Sequence, residues 1–199
     1  MRTDASKGEA NKMSEIKYVS LPLDDKTAES LHAGDIVSLS GKILVGRDAA
    51  HKRIVEAIKS GAEPPVPIKD EVIYYAGPAP TPPGAVIGPI GPTTSGRMDP
   101  YAPLLIEKGL RGMIGKGKRT QAVLDAMKAH KAVYFGATGG TAVLLADCVK
   151  SAEAIAYEDL GPEAVLRLEV KDMPLTVIAD CHGGNLYETG PEEARKLIS

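Results

Sequence analysis

Residues 112–150 read GMIGKGKRTQAVLDAMKAHKAVYFGATGGTAVLLADCVK, and their alternation decides the fold. GMIG is a short apolar run, and KRTQAVLDAMKAH after it carries apolar residues at helical spacing. VYFGA is again apolar and strand-like, and the glycine-led GTAVLLADCVK returns to helix. Strand, helix, strand, helix in that order calls for parallel strands joined by crossover helices, so the class is α/β.

Working toward the N-terminus, EVIYYAG reads as another strand, and AAHKRIVEAIKSG as a helix. In that helix Ala50, Ile54, Ala57 and Ile58 share a face, Asp48 is placed to cap the start and Gly61 closes the end. The apolar runs Ile36 to Leu39 and Ile43 to Val45, separated by Ser-Gly-Lys, have the pattern of a hairpin. IKYVSLPL alternates like a strand, and DDKTAESL is a short capped helix. Between residues 77 and 99, GPAPTPPGAVIGPIGPTTSGRMD is dense in proline and glycine, with only Ala85 to Ile90 apolar enough for a strand. Asp99 and Pro100 start a helix that Pro103 limits. Toward the C-terminus, AEAIAY, AVLRLEV and LTVIAD read as further strands and PEEARKLI as a closing helix. The sheet is therefore expected to be mixed. Residues 1–12 are polar and aperiodic and read as a tail, with Met13 as a second possible start, so residues 13–199 are expected to form one domain.

The chain has 199 residues, 43% hydrophobic and 25% charged, the balance of an ordinary globular protein. A net charge of -2 gives no global field for nucleic acid, and one Phe with no Trp leaves few rings for base stacking. Neither a signal peptide nor an apolar run of spanning length is present, so the expectation is a cytoplasmic protein without a membrane partner. Cys148 and Cys181 lie in unrelated contexts, and two thiols are too few for an iron–sulfur cluster. If iron is involved, another chain brings it.

Ligand sites in α/β sheets lie at the carboxyl ends of strands. Three cations follow apolar runs: Arg47 after ILVG, Arg97 in the loop after VIGPI, and Lys116 after GMIG. A single such residue is ordinarily a solvated loop cation, but three beside flanking glycines point to an anion site. In GPTTSGRMD, Thr93, Thr94 and Ser95 add hydroxyls between Gly91 and Gly96, and the Arg97 fork suits a carboxylate. GMIGKGKR meets G-x-x-x-x-G-K but places Arg119 where a nucleotide loop needs Ser or Thr. FGATGGTAV lacks the dinucleotide spacing, although Gly139, Gly140 and Thr141 could offer N–H groups to an anion. His32, His51, His130 and His182 lack metal-ligand spacing. His51 lies one turn beyond Arg47, either near the site or in a local hydrogen bond. Asp48 and Asp99 read as helix caps that also orient an arginine.

SGKILVGRDAAHKRI, YYAGPAPTPPGAVIGPIGPTTSGRMDPY and GLRGMIGKGKR resemble segments of the β subunit, or C-terminal domain, of class I fumarate hydratases and L(+)-tartrate dehydratases. The resemblance runs from about Ile16 to about Tyr187. It implies a single swivelling β/β/α-type domain with a mixed sheet. It also implies a hydro-lyase that reversibly hydrates fumarate to malate, with its [4Fe-4S] cluster on a partner α subunit and none bound by this chain. A hetero-oligomer follows, with a small dicarboxylate as substrate. By the same resemblance Arg47, Thr93, Thr94, Gly96, Arg97 and Lys116 bind substrate, and Thr93 is the catalytic acid/base. Ser95 stands where the family often has Ala. The alternatives are a tartrate dehydratase β subunit and a non-catalytic anion-binding module.

Overall fold

Among the residues that the computed structural model describes, 15–138 and 140–191, seven strands form one mixed sheet. In chain order the elements are β1 (Lys17–Ser20), α1 (Asp25–Ser30), β2 (Ile36–Val45), α2 (Asp48–Lys59), β3 (Val72–Tyr74) and α3 (Ala102–Glu107). There follow β4 (Gly112–Gly115), α4 (Gln121–His130), β5 (Val133–Gly136), α5 (Ala142–Asp147), β6 (Val149–Ala156) and β7 (Val165–Ala179). Short 3-10 turns occupy Ser95–Met98 and Glu158–Glu163. The tail expected at 1–12, Gly139 and most of the expected closing helix lie outside the described residues. Among the described residues no helix is long and apolar enough to cross a membrane.

Strands β2, β3, β4 and β5 run parallel in one ladder, as the alternation of strand and helix requires. Strand β7 runs antiparallel to both β2 and β5, so the hydrogen bonding closes a circuit through these five strands. Short strand β1 adds parallel to β2, and β6 adds antiparallel to β7.

Each ladder strand is buried on both faces, with successive residues entering different cores. Val72, Tyr74, Val133 and Phe135 face the interior of the curl with Leu168, Val170, Met173, Leu175 and Val177 of β7. Ile73, Met113 and Tyr134 face outward against Ile54 of α2, Leu105 of α3 and Val123 and Met127 of α4. Burial on both faces is why the sequence shows short apolar runs rather than alternation. Truncating Phe135, wholly buried, to Ala would cost about 3–5 kcal/mol through lost burial and the cavity left behind.

The structure corrects several sequence expectations. The expected hairpin at 36–45 is a single bent strand. Its register against β7 shifts between Leu39 and Gly41, a bulge rather than a reversal, because β7 pairs along both halves. Gly41 has φ of 129°, and a Cβ there would stand 2.7 Å from Cβ of Leu21. Second, AVLRLEV and LTVIAD join into the fifteen residues of β7, with Asp172 at φ of 54° taking up the bend opposite. Third, Ala85 to Ile90 is not a strand. Its backbone packs on residues 79–80, so closely that a Cβ at Gly88 would lie 2.1 Å from the Ala79 carbonyl oxygen. Prolines on both sides of the contact lack the N–H groups a ladder needs. Fourth, Arg47 occupies the N-cap of α2 and Asp48 is its first helical residue, which frees the Asp48 carboxylate for a distant partner.

Candidate active site at the carboxyl ends of the parallel strands

Register brings the strand ends level. Val45 pairs with Tyr74, Tyr74 with Ile114 and Ile114 with Phe135, so the chain leaves all four strands along one edge. Two further bonds extend the ladder, Gly46 N–H to Tyr74 O at 3.1 Å and Tyr75 N–H to Ile114 O at 2.8 Å. Arg47 and Lys116 therefore emerge on the same side of the sheet.

Into the space between the ends of β3 and β4 the chain inserts Pro92 to Ser95. Thr93 N–H donates to Tyr75 O at 2.7 Å, and Ser95 N–H donates to Lys116 O at 2.8 Å. Thr94 makes a parallel bridge with Lys116, and Pro92 an antiparallel one with Ala76. This contact needs Gly115: a Cβ there would sit 2.0 Å from Oγ of Ser95. Thr93 is half-buried, Thr94 and Gly96 are exposed, and the 3-10 turn that follows carries Arg97.

Arg97 then reaches α2. Its Nε donates to Oδ1 of Asp48 at 2.8 Å, while the side chain remains 50% exposed. Among the described residues its two terminal nitrogens make no ion pair. Arg47 makes a loose contact with Glu163, 3.6 Å from Nη2 to Oε1, and its buried Nε has no partner. Lys116 is exposed, with no ion pair among the described residues. The structure thus gathers Arg47, Thr93, Thr94, Gly96, Arg97 and Lys116 on one edge, with cationic capacity left unspent. Such an edge, with two guanidinium groups and an ammonium beside hydroxyl-bearing residues, can bind a small anion.

Beneath this edge lies a buried network that sequence reasoning missed. Arg119, whose side chain is 1% exposed, donates from Nε to Oδ1 of Asp99 at 2.7 Å. Its guanidinium lies 5.3 Å from the Tyr75 ring centroid and 5.0 Å from that of Tyr134. Asp99 also accepts the Thr120 N–H at 2.6 Å, so it does not cap α3, whose N-cap is Tyr101, but holds the start of α4 and orients Arg119 rather than neighbouring Arg97. Tyr134 bonds Ser95 Oγ and Gly117 O, each at 2.9 Å. The sequence does hold a faint signal, seven Tyr against one Phe: rings are wanted here with hydroxyls attached.

His51 is fully enclosed, not at the ligand surface. Its Nδ1 bonds Arg47 O at 2.8 Å and its ring meets Tyr75 edge-on at 5.2 Å. Burial pushes its pKa down to about 4, so the ring is neutral at pH 7 and Nδ1–H is the donor. The local bond is therefore its role, fixing the backbone that presents Arg47.

Among the described residues no three His, Cys, Asp or Glu side chains gather to hold a metal. Cys148 ends α5 and Cys181 follows β7, both as free thiols whose pKa burial pushes up. Two thiols on separate elements do not fit an iron–sulfur cluster, which takes several thiolates converging on one point.

Comparison with known proteins gives the family. The family model described as Fumarase C-terminus matches residues 2–190. A "Fumarate hydratase class I, anaerobic" of Escherichia coli (strain K12) is 46% identical over 154 residues, 76% of this chain and 28% of that protein. "Fumarate hydratase 2" of Leishmania major is 41% identical over 168 residues, 82% of this chain and 30% of its own length. A "Putative L(+)-tartrate dehydratase subunit beta" of Methanocaldococcus jannaschii is 38% identical over 179 residues, 87% of this chain and 92% of that subunit. The chain thus spans under a third of these two fumarate hydratases but nearly the whole of that putative β subunit.

Proposed function

We propose a function from one premise, that the chain belongs to the Fumarase C-terminus family. Fumarate hydratases and tartrate dehydratases are hydro-lyases, and we assign this chain the β-subunit role in a fumarate hydratase that reversibly converts fumarate to malate. The observation that carries the reading is the insertion of Thr93 to Ser95 between the ends of β3 and β4, with Arg47, Arg97 and Lys116 around it. The [4Fe-4S] cluster of such an enzyme is assigned to a partner α subunit in a hetero-oligomer, because the thiols here do not fit it. Residues 13–199 are taken as the working domain, residues 1–12 as a tail, and the cytoplasm as the compartment.

The contribution of this chain is positioning and proton movement. Arg97 offers its terminal nitrogens to one substrate carboxylate while Asp48 fixes the guanidinium plane through Nε. Arg47 and Lys116 neutralise the second carboxylate, with Thr94 and Gly96 lining the approach. Holding both ends of the dianion fixes which face of the double bond receives the proton. Thr93 Oγ1 moves that proton to and from carbon. A threonine hydroxyl is a weak base, and the neighbouring cations stabilise its alkoxide and the charge that builds on the substrate carboxylate, by about 3 kcal/mol on the scale of one well-placed donor.

A second reading, a tartrate dehydratase β subunit, is favoured by one observation: the Methanocaldococcus jannaschii protein matches over 92% of its own length as a separate subunit. Assembling this chain with a cluster-bearing partner and offering fumarate, malate and L(+)-tartrate tests both. Fumarate–malate interconversion that requires both chains supports the first reading, and turnover of tartrate alone the second. A complex that binds dicarboxylates and turns over none of them leaves only a non-catalytic anion-binding module.

A further inference from the structure

Lys116 is followed by a glycine whose N–H and carbonyl are each held by a tyrosine hydroxyl. The Gly117 N–H donates to Oη of Tyr187 at 3.0 Å, and the Gly117 carbonyl accepts from Oη of Tyr134 at 2.9 Å. A phenol has one proton, and the carbonyl must accept it, so Tyr134 takes the Ser95 hydroxyl proton at 2.9 Å. Ser95 N–H in turn bonds Lys116 O. Burial pushes the Tyr134 phenol pKa up, which keeps that proton in place. Gly117 has φ of 89°; the backbone before it is held by Lys116 N–H to Thr93 O at 3.4 Å and Ser95 N–H to Lys116 O, and the tyrosine bonds fix the turn that follows.

Tyr187 comes from the far end of the chain. It lies in the helical turn at 186–191, where its N–H donates to Oδ1 of Asn185 at 3.1 Å, and Asn185 bridges to Ala179 at the end of β7. Its ring and Lys116 share the lining of a cavity of about 160 Å³ with Thr138 and Thr176. Among the described residues the Tyr187 hydroxyl accepts from Gly117 and donates to no partner.

We propose that Tyr187 is a positioning residue of the anion site, holding the Gly117 peptide, and so the direction of Lys116, through a hydrogen bond that reaches from the C-terminal turn to the end of β4. The proposal rests on the functional reading above for its effect on substrate, but not for its geometry. Tyr187→Phe removes the acceptor and keeps the half-buried ring, so the fold is retained. Amide exchange at Gly117, read by NMR on this chain alone, should quicken by about 10-fold, the scale of one lost hydrogen bond. In the assembled enzyme the KM for malate should rise about 5-fold, with kcat within 2-fold and an unchanged unfolding midpoint. Tyr134→Phe should quicken the same amide, acting from the carbonyl side. Unchanged exchange at Gly117 overturns the proposal, as does quickened exchange with an unchanged KM when Lys116→Met raises KM. A silent Lys116→Met refutes the functional reading instead, and Gly117 exchange then decides the bracket by itself.

Discussion

Arg111 and Arg97 are both arginines held by an aspartate, at opposite ends of the same parallel strands. Arg111 enters β4 and is used up: it contacts Asp25 at 2.7 Å and Asp70 at 3.3 Å, and donates to His130 O. Nearby Lys131, before β5, pairs with Glu29 at 2.9 Å and Asp25 at 3.3 Å, and Arg167 of β7 with Glu71 at 3.3 Å. At the carboxyl ends, Arg97 spends only Nε on Asp48, Arg47 has a 3.6 Å contact, and Lys116 has no ion pair among the described residues. The same residue types are structural at one end and available at the other. What separates them is how many carboxylates the strand starts supply, not the cations themselves.

The available end depends on a buried support, and the largest expected effect strikes there. Asp99→Asn leaves the Arg119 guanidinium enclosed without its anionic partner, a loss of about 3–5 kcal/mol in urea unfolding. A loss below about 1 kcal/mol would show that the two tyrosine rings suffice to hold Arg119. Next comes acid. His51 is depressed from 6.5 to about 4, so the unfolded chain binds the proton more readily between those values. The contribution is complete above pH 6.5 and falls away as pH drops toward 4, by about 3 kcal/mol in all. In His51→Gln the slope of unfolding free energy across that window should shrink by about one proton. An identical slope would assign the acid sensitivity to carboxylates elsewhere. On the catalytic side, Thr93→Ala in the assembled enzyme should lower kcat by about 100-fold with KM little changed, the scale of general acid–base catalysis. A normal kcat, with iron content checked, would move the proton transfer to the partner chain.

The sequence carried the strand and helix order from 112 to 147, and with it the end of the sheet where Arg47 and Lys116 emerge; Val149 and Lys150, read as helix, begin β6. Arg97 was legible from its block, though its neighbour was not: Asp48 lies 49 residues away, and only the fold joins them. The hairpin at Ser40 to Lys42 failed because a bulge and a turn share one local pattern, and β7, more than a hundred residues on, decides between them. Arg119 failed for a related reason. Spacing invited comparison with a phosphate loop, whereas its burial between Tyr75 and Tyr134 comes from strands that meet only in the sheet.

The division between the two ends is tested most directly by measuring the KM for malate and the unfolding midpoint on Arg97→Ala and Arg111→Ala side by side, in the enzyme assembled with its partner. Arg97→Ala should raise KM by about 10-fold or more, because a forked carboxylate contact is lost, and leave the midpoint nearly unmoved, since an exposed ion pair contributes about 0–1 kcal/mol. Arg111→Ala should leave KM within about 2-fold and lower stability by about 1–3 kcal/mol, because its side chain is largely enclosed and three acceptors lose their donor. The reverse pattern, with Arg111 governing KM and Arg97 governing stability, would contradict the account and place the ligand at the other end of the sheet.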